Sequence, residues 1–314
     1  MYYIGIDLGG TNIAVGLVDD DCNLIKKESI PTRAERKDVE IIKDMADLTA
    51  KVIADAGLSV SDVAWVGIGS PGSVDRENGI LLYANNIPFT KTPMREIFQK
   101  TLNLPVYIDN DANCAALGEV YAGSAKGCNH AVFVTLGTGV GGGLIIDKKV
   151  YAGFNDNGAE IGHNVIMLGG RKCSCGRRGC WEAYASVTGL IVDTIEAMKW
   201  NKDSLMWKLC DGSLDNVNGR TSFDAAKQGD ETALEVVNNY FTYVAAGVTD
   251  MVNTFQPEIL CIGGSISKEG EYLLDPVRKI VEKERYTRFC KQTELKVATL
   301  GGDAGIIGAA MLGK

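Results

Sequence analysis

No apolar stretch of this chain reaches the roughly 18 residues that a membrane-spanning helix needs, which excludes a helical membrane protein. Basic charge is in deficit: Lys+Arg is 32 against 40 Asp+Glu, a net charge of −8. Such a chain lacks the footprint for general binding to DNA or anionic membrane. Proline is scarce, with 7 residues, while 46% of residues are hydrophobic and 23% charged, which excludes disorder and low-complexity linkers. The opening residues MYYIGIDLGG carry no basic leader, and no cleavable signal peptide is expected. The nine cysteines are odd in number and scattered apart from one cluster, which is no disulfide framework. A cytoplasmic location is the expectation, and a cysteine cluster there favours metal.

Against these absences stands an excess of glycine: 37 of 314 residues, about 12% against the usual value of roughly 7%. Length alone suggests two domains. Residues 2–8 and 13–18 read as strands around a Gly-Gly-Thr-Asn turn. Residues 131–136 and 143–147 read the same way around GTGVGG, at an offset of 128 that superposes Leu8 on Leu136, Gly9 on Gly137 and Asp19 on Asp147. Two halves on one plan explain this, as does the plain likeness of any two glycine-turn hairpins. Met45, Leu48, Val52, Ile53 and Ala56 share one helix face that ends at Gly57. A longer stripe runs from Leu234 to Phe255 and is closed by Pro257. A strand at Ile259–Gly263 follows. Strands alternating with helices indicate an α/β architecture. Residues 201–219 are the least patterned, and a surface excursion is expected there.

Three glycine turns are candidates for phosphate or nucleotide. The turn DLGGTN, Asp7 to Asn12, can aim backbone N–H groups and the Thr11 hydroxyl at an anion, with Asp7 holding a magnesium-bound water. An ordinary tight hairpin uses the same residues. Gly137 to Gly143 reads GTGVGGG, more glycine than a hairpin needs, and close approach of a phosphate explains the surplus. Neither turn has the Walker A lysine. Ile262-Gly263-Gly264-Ser265 follows a strand, where backbone could pass a flat base or ribose.

Val106-Tyr107-Ile108 is a short strand that leads through Asp109-Asn110-Asp111-Ala112-Asn113 into a helix. Strand ends facing helix starts are where α/β sheets place ligands. Asp111 can be an N-cap or a base that accepts a substrate hydroxyl proton. As a base at a helix N-terminus it is expected to have a lowered pKa, which phosphoryl transfer tolerates.

Cys173-Ser-Cys175-Gly-Arg-Arg-Gly-Cys180 places three thiols within eight residues. A tetrahedral zinc site needs a fourth ligand. Of the two histidines, His163 lies ten residues before the cluster in a glycine-flanked loop, whereas His130 has no ligand spacing. His163, Cys173, Cys175 and Cys180 form the expected closed, structural zinc site. Arg171, Lys172, Arg177 and Arg178 would offset its negative charge. The site would clamp two loops that carry Glu160 and Glu182, carboxylates suited to sugar hydroxyls.

Asp7–Asn12, Ser70-Pro71-Gly72, Asn110-Asp111-Ala112-Asn113, Leu136–Gly143, Glu160-Ile161-Gly162-His163, Cys173–Glu182 and Gly301–Gly308 together resemble the ROK family of sugar kinases and sugar-responsive repressors, most closely its bacterial glucokinases. The resemblance spans nearly the whole chain. One departure is Gly302, where many relatives carry Asn. The resemblance implies the actin-like, hexokinase-type ATPase fold: duplicated ribonuclease H-like α/β domains around an inter-domain cleft. Residues 1–118 would form the N-terminal domain, with a helix at about 303–314 returning to it. Residues 119–302 would form the C-terminal domain, with the zinc loop at 163–180.

By matching position, Asp111 would be the catalytic base. Gly72, Asn85 or Asn86, Asn110, Glu160, His163 and Glu182 would hold the sugar. Asp7, Gly9, Gly10, Thr11 and Asn12, with Gly137, Thr138 and Gly139, would embrace the nucleotide phosphates. Gly263 and Gly264 would flank the adenosine. The implied activity is an ATP-dependent hexose kinase using magnesium with ATP, glucose being the first substrate to test. Rivals are N-acetylmannosamine, mannose, allose and fructose, and polyphosphate is a possible donor. A sugar-sensing regulator of the same family would carry a DNA-binding segment before the first strand, which here starts at about Tyr2. Assembly as a homodimer or homotetramer is a family expectation, with neither nucleic acid nor membrane as a partner.

Overall fold

The computed structural model describes residues 1–84 and 87–314. The chain order begins β1 (Tyr2–Leu8), β2 (Asn12–Asp19), β3 (Leu24–Pro31), α1 (Asp38–Asp55), β4 (Val63–Ser70), β5 (Ser73–Asp75), β6 (Ile80–Tyr83), β7 (Thr90–Thr92), α2 (Met94–Thr101), β8 (Val106–Asn110) and α3 (Asp111–Tyr121). It continues with β9 (Ala131–Leu136), β10 (Val140–Ile146), β11 (Lys149–Val150), α4 (Glu182–Ala185), α5 (Val187–Trp200), α6 (Met206–Leu209), α7 (Thr221–Ala226) and α8 (Glu231–Phe255). It closes with β12 (Ile259–Gly263), α9 (Glu271–Glu284), β13 (Glu294–Val297) and α10 (Ala304–Ala310).

Two five-stranded sheets have the orders β3-β2-β1-β4-β8 and β11-β10-β9-β12-β13, and a three-stranded sheet has the order β5-β6-β7. The two larger sheets repeat one plan, as the offset of 128 suggests: each begins with a hairpin closed by a glycine turn. Two compact units are present. The first comprises Met1–Phe133, Gly142–Ala159 and Ala298–Lys314; the second comprises Val134–Gly141 and Glu160–Val297. Each unit is built from separate stretches of the chain.

In the first unit, Ile4, Ile6 and Leu8 of β1, Ile13, Val15 and Leu17 of β2, and Ile41, Met45 and Val52 of α1 are fully buried together. Helix α10 packs on the sheet at backbone distance. A Cβ on Gly67 of β4 would lie 1.8 Å from the Ala309 carbonyl oxygen, and one on Gly308 would lie 1.6 Å from that of Cys114 in α3. Only glycine permits this approach. The buried Glu119 of α3 secures the segment entering α10: it accepts hydrogen bonds from the N–H groups of Leu300 (2.9 Å) and Thr299 (3.2 Å).

In the second unit, α8 buries Val237, Tyr240, Phe241, Val244 and Val248, the stripe read from the sequence. The Asp230 carboxylate caps its start by accepting from Ala233 N–H. Gln256, in left-handed backbone at φ 44°, stops it one residue before Pro257. The segment 201–219 runs largely at the surface, as expected, yet it is anchored. It contains α6, and Met206 and Cys210 are buried because Asp230 also fixes Ser204 and the Leu205 N–H. Among the described residues, no helix is long and apolar enough to cross a membrane.

Candidate functional site

In the first unit, β1, β4 and β8 run parallel, so their carboxyl ends share one edge. Asp7 pairs in register with Gly69, Gly69 with Asp109, and Ser70 with Asn110. This edge is where α/β sheets present ligand-binding groups. It brings together Asp7, Gly72, Asn110 and Asp111. The turn after Asp7 is pinned by Thr32, whose hydroxyl donates to the Gly9 carbonyl (2.6 Å) and whose N–H donates to that of Thr11 (2.8 Å). Gly9 and Gly10 are partly buried there, whereas Thr11 and Asn12 are exposed.

Asn110 rather than Asp111 is the N-cap of α3. Its side-chain oxygen accepts from the N–H groups of Ala112 (2.8 Å) and Asn113 (3.4 Å), and its amide donates to the Gly72 carbonyl (3.2 Å). Gly72 sits at φ +90°, and a Cβ there would lie 2.0 Å from the Tyr83 carbonyl oxygen. Because Asn110 does the capping, the Asp111 carboxylate is available for other chemistry. Ala112 N–H donates to its Oδ1 at 2.9 Å.

The electrostatics also differ from the expectation. Burial raises the Asp111 pKa, outweighing the Ala112 N–H bond that lowers it. The group is still partly open to water. Asp7 is pushed up to about 6, first by burial and then by the negative charge of Asp111, against the lowering pull of Lys27. These carboxylates are stronger bases than surface ones.

Three residues of this region are given no role by the sequence: Asp109, Arg76 and Asp156. Asp109 is completely buried; its Oδ1 accepts from Asn110 N–H (2.7 Å) and from the Asn113 amide (2.9 Å). Arg76 Nε lies 3.3 Å from Asp109 Oδ2, and Arg76 N–H donates to Asp156 Oδ2 at 2.9 Å. Only three-dimensional proximity reveals this chain of charges.

In the second unit, the four expected ligands converge. The donor atoms of His163, Cys173, Cys175 and Cys180 all lie within 4.8 Å of one another. Cys175 Sγ and Cys180 Sγ are 3.7 Å apart, as are Cys173 Sγ and His163 Nδ1. Metal–sulfur bonds of roughly 2.3 Å in a tetrahedron set sulfur–sulfur edges of about 3.8 Å. The donor set therefore fits a tetrahedral ion. The backbone N–H and the charge of Arg177 both favour the Cys175 thiolate, as an offset of the cluster's negative charge requires. Arg171 is engaged with Asp193 and stacks on Tyr184, while Arg177 and Arg178 donate to the carbonyls of His163 and Gly170. Side chains this long satisfy the nearest acceptors first.

Glu182 joins this cluster to the glycine turn. Its Oε2 accepts from Val140 N–H (3.0 Å) and its Oε1 from the Ser174 hydroxyl (3.1 Å), with Cys173 Sγ at 3.7 Å. Glu160 is exposed and precedes the helical turn Ile161–His163. In the glycine turn, Gly137 and Thr138 offer their carbonyls to Val187 N–H and the Thr188 hydroxyl, both at 2.8 Å. At Gly139, a Cβ would lie 2.4 Å from Glu182 Oε2.

Gly143, at the end of this glycine run, has a packing reason. Gly141, Gly142 and Gly143 belong to β10, and a Cβ at Gly143 would lie 2.6 Å from that of Ala116 and 2.8 Å from the Ala112 carbonyl oxygen. Gly143 is small so that α3 can pack on the strand. Gly263 ends β12, and Gly264, at φ +85°, lies against the Leu136 backbone. Asn85 and Asn86 lie outside the described residues.

The ROK family profile matches residues 3–314. The glucokinase of Thermotoga maritima is 39% identical over 98% of this chain and 96% of its own length. That of Halalkalibacterium halodurans is 35% identical over 100% and 95%. Among solved structures, a ROK family glucokinase from Streptomyces griseus in complex with glucose and AMPPNP superposes with a TM-score of 0.81 at 34% identity, covering 99% of both chains.

Proposed function

The chain belongs to the ROK family, and from that premise we propose that it is an ATP-dependent glucokinase that makes glucose 6-phosphate. The fold is that of the actin-like, hexokinase-type ATPases. One observation in the structure carries the chemical reading. Asp111 stands at the carboxyl edge of a parallel sheet, relieved of capping by Asn110, with its basicity raised by burial.

In this reading the glucose 6-hydroxyl gives its proton to the Asp111 carboxylate as its oxygen bonds to the γ-phosphorus. The bond from that phosphorus to the β–γ bridging oxygen breaks, and its electron pair leaves with ADP. The transition state is loose, so positioning matters more than early proton removal. Asn110 fixes one side of the reacting hydroxyl through its link to Gly72. Glu160, His163 and Glu182 serve as ligands for the remaining hydroxyls, with His163 using Nε2 because Nδ1 faces the thiols.

The turn Asp7–Asn12 and the turn Gly137–Gly139 are assigned to the nucleotide phosphates, and Gly263–Gly264 to the adenosine. Magnesium arriving with ATP would neutralise phosphate charge, and Asp7 offers it a hard oxygen ligand or holds its water. Zinc is the ion assigned to His163, Cys173, Cys175 and Cys180, where it would order the loops without an open coordination position. Family membership supports a homodimer or homotetramer, which sedimentation velocity would measure, and residence in the cytoplasm.

The test is an ADP-release assay over glucose, N-acetylmannosamine, mannose, allose and fructose, with ATP and then polyphosphate as donor. Glucose with ATP should give the highest kcat/KM. Turnover on none of these sugars would overturn the reading.

A further inference from the structure

We propose that Arg76 is a positioning residue for phosphoryl transfer: by compensating the buried charge of Asp109 it holds the Asn110–Asp111 turn in its reactive geometry. The inference rests on the kinase reading above and extends it to a residue outside every motif of the chain.

Asp109 immediately precedes Asn110 and Asp111. It is wholly buried, and it shapes the turn through Oδ1, which accepts from the Asn110 N–H and ties Asn113 at 2.9 Å. Its other oxygen, Oδ2, makes no hydrogen bond among the described residues, and Arg76 Nε at 3.3 Å is the positive charge that faces it. A buried carboxylate without a compensating charge takes up a proton or draws in water. A proton on Oδ2 turns Oδ1 from a carboxylate oxygen into a neutral carbonyl, a weaker acceptor, and its bonds from Asn110 N–H and the Asn113 amide weaken. Asn110 in turn spans Ala112, Asn113 and the Gly72 carbonyl, so its displacement reaches both Asp111 and the neighbouring sugar-binding position.

Arg76 is itself held in place by a dedicated set of bonds. Its N–H donates to Asp156 Oδ2 (2.9 Å), and its carbonyl accepts from Arg95 Nη2 (2.7 Å). Arg95 also donates to the carbonyls of Glu77 (2.7 Å) and Val106 (2.9 Å), the latter being the first residue of β8. The turn between β5 and β6 is thereby fastened to the strand that ends at Asn110. Asp156 stands in left-handed backbone at φ 60°, four residues before Glu160 in sequence. The guanidinium therefore projects from a braced stretch of backbone, with its Nη1 also 3.9 Å from Asp156 Oδ1.

The experiment is a double-mutant cycle read by steady-state kinetics and thermal melting. Arg76→Met should lower kcat for glucose about 30- to 100-fold while KM for ATP stays within about threefold. Arg76→Lys, which keeps the charge, should restore kcat to within about fivefold of the unmutated protein. In an Asp109→Asn background there is no buried charge to compensate, and Arg76→Met should then cost less than about threefold. A purely structural role would lower the melting temperature equally in both backgrounds and leave kcat of the folded fraction unchanged.

Retention of kcat within threefold in Arg76→Met overturns the proposal. So does an equal loss of kcat in the two backgrounds. If Arg76→Met does not fold, the Asp109→Asn and Asp109→Asn/Arg76→Met pair decides, since a loss above threefold between them contradicts charge compensation. An unmutated protein inactive on every hexose would overturn the kinase reading, and this inference with it. An active one that is indifferent to Arg76 overturns the inference alone.

Discussion

The two units share a sheet plan but secure their functional groups by opposite means. In the first, Asp7, Asn110 and Asp111 are placed by strand register, a helix cap and close packing of α10 against backbone. In the second, four ligand atoms from residues 163–180 converge, and Glu182 carries their order to Val140. The paired turns differ in kind as well. At the position where β1 has Asp7, β9 has Thr135. The carboxylate thus belongs to one hairpin, while the other turn offers backbone and hydroxyl. One plan can therefore be specialised either by distributed packing or by a local chelate, and the two should fail differently.

The largest effect should come from breaking the chelate. Removing the ion should cost on the order of 5–10 kcal/mol in the stability of the second unit. Hydrogen exchange should show protection lost across residues 160–182, with the amides of β1 and β4 little changed. Mass spectrometry of the native protein should give about one metal ion per chain. Uniform loss of protection in both units would break the contrast.

Next is Asp111→Asn, which touches chemistry rather than framework. Turnover should fall about 10³- to 10⁴-fold, and glucose affinity by calorimetry should stay within about threefold. Near-normal turnover would remove Asp111 from the mechanism. Third is Gly308→Ala, whose Cβ would strike the Cys114 carbonyl. It should destabilise the first unit by about 3 kcal/mol, measured by urea unfolding, with metal content intact.

The smallest effect is a titration. Asp7 has a folded-state pKa of about 6 against 3.8 unfolded. The folded state therefore binds the proton more tightly, and stability declines as pH rises from about 4 to about 6. The decline should be about 2 kcal/mol. Comparing urea midpoints of the unmutated protein and Asp7→Asn over this range isolates it, because the variant should lack that part of the slope.

What was legible in the sequence follows the same division. The convergence of Cys173, Cys175, Cys180 and His163 could be read directly, since they lie close in sequence and their side chains declare their chemistry. The strand β12 and the stripe of α8 were legible from periodicity. The cap at Asn110 was not, because Asn110 and Asp111 are both good caps and only backbone geometry chooses between them. The pKa of Asp111 was misjudged in direction because a helix start is visible in sequence and burial is not. Gly143 looked like part of a phosphate loop until α3 was seen to lie on it. Arg76 and Asp156 are ordinary surface-type residues whose partners are far away in sequence, and no local pattern marks them.

The closeness of α10 to β1 and β4 has a consequence for biosynthesis. The carbonyls of Ile306 and Ala309 cover Gly5 and Gly67, yet the ribosome makes them only after the whole of the second unit. The nascent first sheet must wait, with the part of one face over Gly5 and Gly67 uncovered, while the second unit is translated. A chaperone that shields β1 and β4 during that interval would act on the oldest part of the chain, and the rate of elongation through residues 134–297 would set how long it is needed.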